Sequence, residues 1–441
     1  MDSGPLTIST AAPLIRSGEL TPSDLLEQCL ARVDAYEPAV QAWVYLDRER
    51  ARREAARLTD EVKRGQYRGP LHGIPVGIKD IIDVFDMPTG CGSKLWANSY
   101  ARRDATCVER LRQAGVVILG KTVTTPYAYL DPPPTRNPWN LDRTPGGSSS
   151  GSAAAVACGM VLAALGTQTG GSVTRPASYC GVCSLKPTWG RIRVDGVLPL
   201  ASSLDHVGIM ANGVRDLAVV FEVVAGPAAA CIRAVDTRPE KLKLYRLRER
   251  FDDITPDLAK IYSDAITKLS PDAPDDWSLP AGFAEVGDAH LAIMATEAAT
   301  VHTDRFQRRP EEYPAKIREL IELGRATSAT QLHSATGLRH QLRRQFLAVL
   351  GDSTQFITPA TRDTAPTPET TGSPMFNAPW SFLGFPTVSV PCGWSEQRLP
   401  GAVQLIARPG NEPRLLAAAA SVEQRVKFPR RLPPLPHPQR S

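Results

Sequence analysis

Apolar residues in the first part of the chain recur with the period of an α-helix. The stretch "SGELTPSDLLEQCLARVDAYEP" contains a Thr-Pro start followed by an acidic first turn. Five of its apolar residues fall on one helical face, namely Leu25, Leu26, Cys29, Leu30 and Val33. A more charged segment with helical spacing follows to about Lys63. The pattern predicts that residues from about 7 to 66 are mainly helical.

The pattern changes at about Pro70, where apolar and β-branched residues become nearly continuous. "LHGIPVGIKDIIDV" is interrupted by Gly-Ile-Pro and predicts a buried strand that ends in a loop. "GVVILGKT", at 115–122, predicts a second central strand. The alanine-rich residues 153–165 are interpreted as a buried helix.

Helical and strand patterns also alternate in the second half of the chain. The segment that starts "VGDAHLAIMATEAATVHTDRF" begins a helical region that extends to about Leu350. "FPTVSVPCG" and "AVQLIARPG" predict short strands, and a helix is expected from Glu412 to about Val426. This alternation indicates a layered α/β core. The proline-rich, basic end "FPRRLPPLPHPQRS" predicts an extended tail.

Composition and charge exclude several classes of protein. The chain has 441 residues, of which 42% are hydrophobic and 22% charged, as in a globular domain. Its net charge of +5 is small and its basic residues are dispersed, so we expect no nucleic-acid partner. The longest weakly polar run, 153–166, is shorter than the roughly 20 apolar residues that cross a bilayer. With no signal-peptide pattern either, we expect no membrane partner and a cytoplasmic location.

The cysteines are not arranged for a disulfide framework or for a metal. Eight are spread along the chain, and Cys180 and Cys183 have C-x-x-C spacing. No second such pair or nearby pair of histidines completes a zinc site. Buried thiols and no metal are therefore expected.

A serine- and glycine-rich stretch, "TPGGSSSGSAAAVACG" at 144–159, runs directly into a helix-forming segment and so is not a linker. It matches the G-x-S-x-G nucleophile elbow, which would select Ser149. That motif has only three fixed positions and also requires an acid and a histidine later in the chain. The histidines available have no distinguishing context: His206, His290, His302, His333 and His340.

A second cluster, "LGTQTGGSVTRPASYCGVCSLKPTWG" at 165–190, places Ser172 after two glycines. Their N–H groups could point at a developing oxyanion. No histidine lies near either cluster in the sequence, but Lys79 follows a strand-like apolar stretch, where desolvation would lower its pKa. The combination indicates Ser-Lys chemistry.

These segments together resemble the amidase signature family, over most of the chain. The similar segments are "LHGIPVGIKD", "TRNPWNLDRTPGGS", "GGSSSGSAAAVA", "GVLPLASSLDHVGIMANGVRD" and "NAPWSFLGFPTVSVPCG". The resemblance implies one large α/β/α domain with a mixed central sheet, at residues 1–428, before a tail at 429–441. Its parts would be N-terminal helices (about 7–66), a signature core (about 67–230), a variable region that forms the substrate pocket (about 231–350) and a C-terminal core (about 351–428).

The resemblance also implies a Ser-cisSer-Lys triad. Ser172 would be the nucleophile, Ser148 a bridging serine after a cis peptide bond, and Lys79 the base. The oxyanion hole and substrate contacts would come from Thr169, Gly170, Gly171 and Ser149. No metal or organic cofactor enters this chemistry.

The chain departs from the family pattern beside the nucleophile. Gln168 stands where the family commonly has Asp, and Thr174 where it has Arg, with Arg175 following. The two positions therefore do not provide the family's supporting ion pair, but Gln168 can still form hydrogen bonds and Arg175 could replace the arginine by reaching from the next position. Asp80 is expected to be structural. Five aromatic residues are candidates either for an acyl pocket or for the core: Tyr127, Tyr129, Trp139, Phe376 and Trp380.

The resulting hypothesis is an amidase that hydrolyses an acyclic carboxylic amide to a carboxylate and ammonia or an amine. The only partner expected is a small-molecule amide substrate, and a homodimer is compatible with the sequence. Two alternatives stay open. One is an amidotransferase A-type subunit that releases ammonia for aminoacyl-tRNA amidation, and the other is an inactive homologue that serves as a binding protein.

Overall fold

Strands and helices alternate along the chain in the computed structural model, which describes residues 4–226, 230–237 and 241–435. The α-helices of these ranges are α1 (Ile8–Ser17), α2 (Pro22–Val40), α3 (Arg48–Lys63), α4 (Thr106–Gln113), α5 (Ser150–Ala157), α6 (Thr174–Cys180), α7 (Val214–Ala225), α8 (Cys231–Asp236), α9 (Pro256–Lys268), α10 (Val286–Arg308), α11 (Ala315–Ala326), α12 (Ala329–Val349), α13 (Ala378–Leu383) and α14 (Glu412–Val426). The strands are β1 (Trp43–Leu46), β2 (Pro75–Lys79), β3 (Val117–Thr122), β4 (Ala163–Gln168), β5 (Cys183–Lys186), β6 (His206–Ala211), β7 (Lys243–Leu247), β8 (Asp275–Trp277), β9 (Thr354–Pro359), β10 (Thr387–Trp394) and β11 (Pro400–Ile406).

The N-terminal helices form largely as the sequence predicts. Thr21 caps α2, because its hydroxyl accepts a hydrogen bond from the Asp24 N–H at 3.0 Å. All five residues assigned to its apolar face are buried. The short strand β1 was not predicted. It pairs antiparallel with β3, and its four residues between two long helices are too few to display a period.

The strands form one mixed sheet in the order β1-β3-β2-β4-β6-β5-β10-β11-β9-β7-β8. The pairs β2–β3, β2–β4, β7–β8 and β7–β9 are parallel, and the others are antiparallel. The predicted mixed central sheet is therefore confirmed.

Helices cover both faces of this sheet. Side chains alternate between the two faces along each central strand, so neighbouring residues belong to different hydrophobic clusters. In β3, Ile118 belongs to one hydrophobic cluster, whereas Val117 and Leu119 belong to another. Helix α7 contributes to the first cluster and α5 to the second. The helices thus lie on opposite faces, which confirms the expected α/β/α layering of a single large domain.

The interpretation of residues 153–165 as one helix is wrong. Helix α5 ends at Ala157, Gly159 adopts a left-handed conformation with φ of +67°, and β4 begins at Ala163. Every residue of α5 and of β4 is buried, so no polar positions reveal where the period changes from that of a helix to that of a strand.

The remaining predictions concern the second half and the cysteines. The expected helical region is divided into α10, α11 and α12, and the expected C-terminal strands and helix are β10, β11 and α14. All eight cysteines lie within the described ranges as buried thiols, as predicted. Among the described helices, none is long and apolar enough to cross a membrane.

The C-terminal segment has neither helix nor strand at 427–435, and it lies against the domain. The Tyr36 hydroxyl donates to the Pro433 carbonyl at 2.7 Å, and the Arg431 guanidinium lies 4.4 Å from the ring centroid of Trp394. The predicted tail at 429–441 is therefore anchored in its first part, and its residues 436–441 lie outside the described residues.

Candidate active site

The site forms where two parallel neighbouring strands end. Lys79 is the last residue of β2, and Gln168 is the last residue of β4. The carboxyl ends of parallel strands meet at the same edge of a sheet, which is where α/β proteins usually bind ligands. Lys79 is fully buried at this edge. Its Nζ donates hydrogen bonds to Ser148 Oγ and to Thr167 Oγ1, each at 2.7 Å.

The environment of Lys79 disfavours its charged form. Burial lowers the pKa of Lys79 well below its ordinary value, as expected from the sequence, while the carboxylate of Asp205 acts in the opposite direction. Its two hydrogen-bond partners are neutral hydroxyls. The amine is therefore suited to accept a proton from a serine.

Ser148 differs from the other serines of its loop in contacting the lysine. The peptide bond between Gly147 and Ser148 is cis, as predicted. The Ser149 hydroxyl instead exchanges hydrogen bonds with the backbone of Thr167, Ser150 donates to the Gly146 carbonyl, and Ser152 donates to the Leu165 carbonyl. These three hydroxyls therefore have structural roles, because they hydrogen-bond the loop and α5 to neighbouring backbone groups.

Ser172 lies beside this loop, at the turn between β4 and α6. The Ser149 N–H donates to the Ser172 carbonyl at 3.3 Å, which joins the two serine-bearing segments. Among the described residues, Ser172 Oγ has no hydrogen-bond partner, and the N–H groups of Gly170, Gly171 and Ser172 have none either. Unpaired N–H groups beside an unpaired hydroxyl are the arrangement that an oxyanion hole requires. The Ser149 N–H is already engaged, so its predicted place in the oxyanion hole stays a prediction.

Thr169 is held from both sides. Its hydroxyl donates to Asp205 Oδ1 at 2.5 Å, and its carbonyl oxygen lies 2.9 Å from His290 Nε2. Asp205 also accepts hydrogen bonds from the N–H groups of Leu200 and Ala201. Burial raises the pKa of Asp205 to about 6, and these hydrogen bonds oppose that rise. The Thr169 hydroxyl thus has a partner within the protein, and the predicted contribution of Thr169 to the oxyanion hole stays a prediction.

Gln168 replaces the expected carboxylate as a hydrogen-bonding group. Its Oε1 accepts from the N–H groups of Val173 and Thr174 at 3.0 Å each, and its Nε2 donates to Ser381 Oγ at 3.1 Å. The Ser381 hydroxyl in turn donates to the Gly170 carbonyl at 3.0 Å. A neutral amide supports the segment around Ser172 without requiring an arginine at position 174.

Arg175 does not pair with Gln168. Its guanidinium is buried, and Nη2 donates to the Gly147 carbonyl at 2.7 Å and to Thr371 Oγ1 at 3.3 Å. Arg175 therefore supports the loop that carries Ser148, rather than restoring the ion pair that position 174 has lost.

The remaining candidates from the sequence, Asp80 and the five aromatic residues, contact other parts of the protein core. Asp80 forms an ion pair with buried Lys121 at 3.1 Å and accepts from the Gly90 N–H. Tyr127, Phe376 and Trp380 are buried among core residues, whereas Tyr129 and Trp139 pack on the core while partly exposed. Within the described ranges, no group of three His, Cys, Asp or Glu side chains could hold a metal ion.

Sequence reasoning missed Thr167 and Asp205. Thr167 bonds Lys79 across 88 positions of the chain, and Asp205 bonds Thr169 across 36. The signal for Thr167 was its place at the end of an apolar strand, one residue before Gln168. Asp205 lies in the quoted segment "GVLPLASSLDHVGIMANGVRD", but a carboxylate in a loop gave no indication of its target.

Comparisons with known proteins identify the family to which the chain belongs. The family model described as Amidase matches residues 24–416. A relative from Mycobacterium bovis (strain ATCC BAA-935 / AF2122/97), provisionally named amidase AmiD, is 32% identical over 459 residues, which cover 98% of this chain and 96% of the relative. The chain belongs to the amidase family.

Other similar proteins show the range of this family. The A-type subunit of glutamyl-tRNA(Gln) amidotransferase from Synechococcus sp. (strain CC9605) is 32% identical over 478 residues, covering 96% of this chain and 97% of the relative. A crystal structure of an amidase superposes with a TM-score of 0.87 at 31% identity, covering 95% of this chain and all of the other. Membership of the amidase family supports a hydrolase that acts on carbon–nitrogen bonds.

Proposed function

We propose that this amidase-family member hydrolyses an acyclic carboxylic amide through an acyl-enzyme on Ser172. The observation that carries the proposal is the fully buried Lys79 amine, hydrogen-bonded at 2.7 Å to Ser148 Oγ. A lysine kept neutral by desolvation is a base, and a serine between it and the nucleophile can pass a proton on.

In the proposed acylation, Ser172 Oγ attacks the amide carbonyl carbon. Its proton passes to Ser148 Oγ while the Ser148 proton passes to Lys79 Nζ. The carbonyl oxygen becomes an oxyanion, which the N–H groups of Gly170, Gly171 and Ser172 bind. Each such donor is worth about 2.7–4 kcal/mol in other hydrolases. The carbon–nitrogen bond breaks as the leaving nitrogen takes up the proton that returns from Lys79 through Ser148.

Deacylation reverses the relay with water in place of the amine. Lys79 and Ser148 remove a proton from water as it attacks the ester carbon, and Ser172 leaves with its proton restored. The relay needs a hydrogen bond between Ser172 Oγ and Ser148 Oγ, which the described residues do not contain. Such catalytic hydrogen bonds often tighten only when substrate binds.

The test uses the purified full chain and a panel of primary amides, with ammonia release as the readout. A fluorophosphonate probe should label the wild type, and Ser172→Ala should lose both the label and the ammonia release. Ser178→Ala is the matched control, because Ser178 is buried on α6 and its hydroxyl donates to the Thr174 carbonyl. Labelling that survives Ser172→Ala would remove Ser172 as the nucleophile.

A second candidate function follows from the relatives named as the A-type subunit of glutamyl-tRNA(Gln) amidotransferase, which are as similar to this chain as the amidase-like relative. In this second function, the chain would pass its ammonia to a partner chain. Turnover of simple amides by the isolated chain would favour the amidase. Release of ammonia from glutamine alone, and only with added partner chains, would favour the amidotransferase.

A further inference from the structure

Each peptide group of the candidate oxyanion hole is held through its carbonyl oxygen, while its N–H group has no partner among the described residues. The three carbonyls are bound from three different helices: Thr169 by His290 Nε2 on α10 at 2.9 Å, Gly170 by the Ser381 hydroxyl on α13 at 3.0 Å, and Gly171 by the Arg175 N–H on α6 at 2.9 Å. The C=O and the N–H of a trans peptide lie in one plane and point in opposite directions. A group that holds the carbonyl therefore also sets the direction of the N–H.

His290 is the side chain that holds the first of these peptide groups, between Thr169 and Gly170. A carbonyl oxygen can only accept a hydrogen bond, so His290 Nε2 carries the ring hydrogen and donates it. The residue is 5% exposed, and burial lowers the pKa of His290 below its ordinary value. The imidazole is therefore neutral at neutral pH, and its one ring hydrogen is engaged by the Thr169 carbonyl.

The backbone at Gly170 needs an external partner to keep one conformation. Two adjacent glycines have more backbone freedom than any other pair of residues, so their peptide planes can rotate unless something holds them. A Cβ added at Gly170 would lie 3.6 Å from His290 Cε1 and 3.6 Å from Pro374 Cβ, so the imidazole packs beside this residue as well as binding the carbonyl before it. A carbonyl that accepts a hydrogen bond also polarises its peptide group, which makes the N–H a stronger donor.

We propose that His290 is a positioning residue, which aims the Gly170 N–H at the oxyanion by holding the Thr169 carbonyl. The inference rests on the proposed function, because it requires the oxyanion that forms when Ser172 attacks. His290 lies on α10, outside the segments that resemble the amidase signature. The negative charge on the carbonyl oxygen develops only in the transition state, so an N–H that is aimed at it lowers the barrier without tightening the binding of the amide.

The first experiment removes the donor and separates kcat from KM, with ammonia release by the full chain from a primary amide that the wild type hydrolyses. In His290→Leu, kcat should be at least about tenfold lower and KM changed by less than about threefold, since a whole oxyanion-hole donor contributes about 10²–10³-fold to kcat. His302→Leu is the matched control, because His302 is a buried histidine on the same helix whose Nδ1 lies 3.1 Å from the Tyr313 hydroxyl. An unchanged kcat in His290→Leu, a loss confined to KM, or an equal loss of kcat in His302→Leu would overturn the proposal.

Two amide variants cover the case in which His290→Leu does not fold. The side-chain nitrogen of glutamine reaches the position of the histidine Nε2, whereas that of asparagine is one bond closer to the backbone. His290→Gln should therefore keep the hydrogen bond to the Thr169 carbonyl, and its kcat should exceed that of His290→Asn by at least about fivefold. Equal kcat values in the two variants, with wild-type circular dichroism spectra, would contradict the role of the donor.

Fluorophosphonate labelling measures the hole in a single step. The phosphoryl oxygen of the probe gains negative charge as Ser172 attacks and needs the same donors, so the rate constant of labelling should fall at least about tenfold in His290→Leu and recover in part in His290→Gln. A wild-type labelling rate in His290→Leu would overturn the inference. Turnover that survives Ser172→Ala removes the proposed function, whereas an inactive Ser172→Ala together with a wild-type kcat in His290→Leu removes only the role of His290.

Discussion

Replacing Lys79 by methionine tests whether the lysine is neutral in the folded protein, without relying on turnover. The change keeps the unbranched stem and removes the amine that binds Ser148 and Thr167. In the unfolded chain Lys79 is protonated below its ordinary pKa of 10.5, whereas in the folded chain burial lowers that pKa well below this value. The unfolded state therefore binds one more proton than the folded state in the range between these two pKa values.

This difference fixes the sign and size of a pH effect. When the unfolded state binds more protons, the free energy of unfolding rises with pH. For one proton the slope is about 1.4 kcal/mol per pH unit, so in the range between the two pKa values the wild type should gain about this much stability relative to Lys79→Met for each unit by which the pH rises. At the low end of the range the variant should be the more stable protein. Folding of the wild type there requires Lys79 to lose its proton, which costs free energy, whereas the variant has no proton to lose.

Urea unfolding of both proteins at several pH values measures this slope, since the contributions of other groups cancel in the difference. Lys63→Met, at the exposed end of α3, is the control, and its curve should run parallel to that of the wild type because its ammonium is solvated in both states. Parallel curves for Lys79→Met would mean that Lys79 is protonated when folded and would refute its assignment as the base. In assays of turnover, the same variant should lose about 10²–10⁴-fold in kcat.

Three further substitutions test the neighbours of Lys79. Ser148→Ala should lower kcat by about 10²–10⁴-fold with an unchanged circular dichroism spectrum, and a loss of less than tenfold would contradict the relay. Gln168→Leu leaves the N–H groups of Val173 and Thr174 without acceptors. The free energy of unfolding measured by urea titration should therefore fall by about 1–3 kcal/mol. An unchanged value would show that other groups replace the amide. Asp205→Asn removes the carboxylate that raises the pKa of Lys79, so the acid limb of the pH profile of kcat/KM should move to lower pH; a limb that stays in place or moves upward would exclude this coupling.

The sequence predicted the elements whose residues alternate between buried and exposed or stand out as a short apolar run. Helix α2 has one apolar face, and β3 is a short β-branched run, so both were located to within a few residues. The stretch 153–165 failed for the opposite reason. All of α5 and β4 is buried, so hydrophobicity there has no period, and the break at Gly159 was the only sign of two elements.

Local sequence patterns could not predict the contacts of the site, because the residues that make them are far apart along the chain. Lys79 and Ser148 are 69 positions apart, and only the family resemblance placed them together. The contacts of Thr167, Asp205 and Ser381 depend on how β2, β4 and α13 are arranged in space, which no local pattern encodes. Arg175 shows the same limit, because its sequence position suggested an ion pair, whereas its side chain extends toward Gly147.

The burial of every cysteine gives the folded chain a chemical selectivity of its own. Desolvation raises the pKa of Cys29, Cys91 and Cys107 to about 12, and the thiolate that would react with an alkylating or disulfide reagent is accordingly scarce at neutral pH. The folded protein should thus not react with thiol reagents, and these thiols should become reactive together when the protein unfolds. A thiol dye would then count unfolded molecules while a serine-directed probe counts competent ones, in the same sample and without interference.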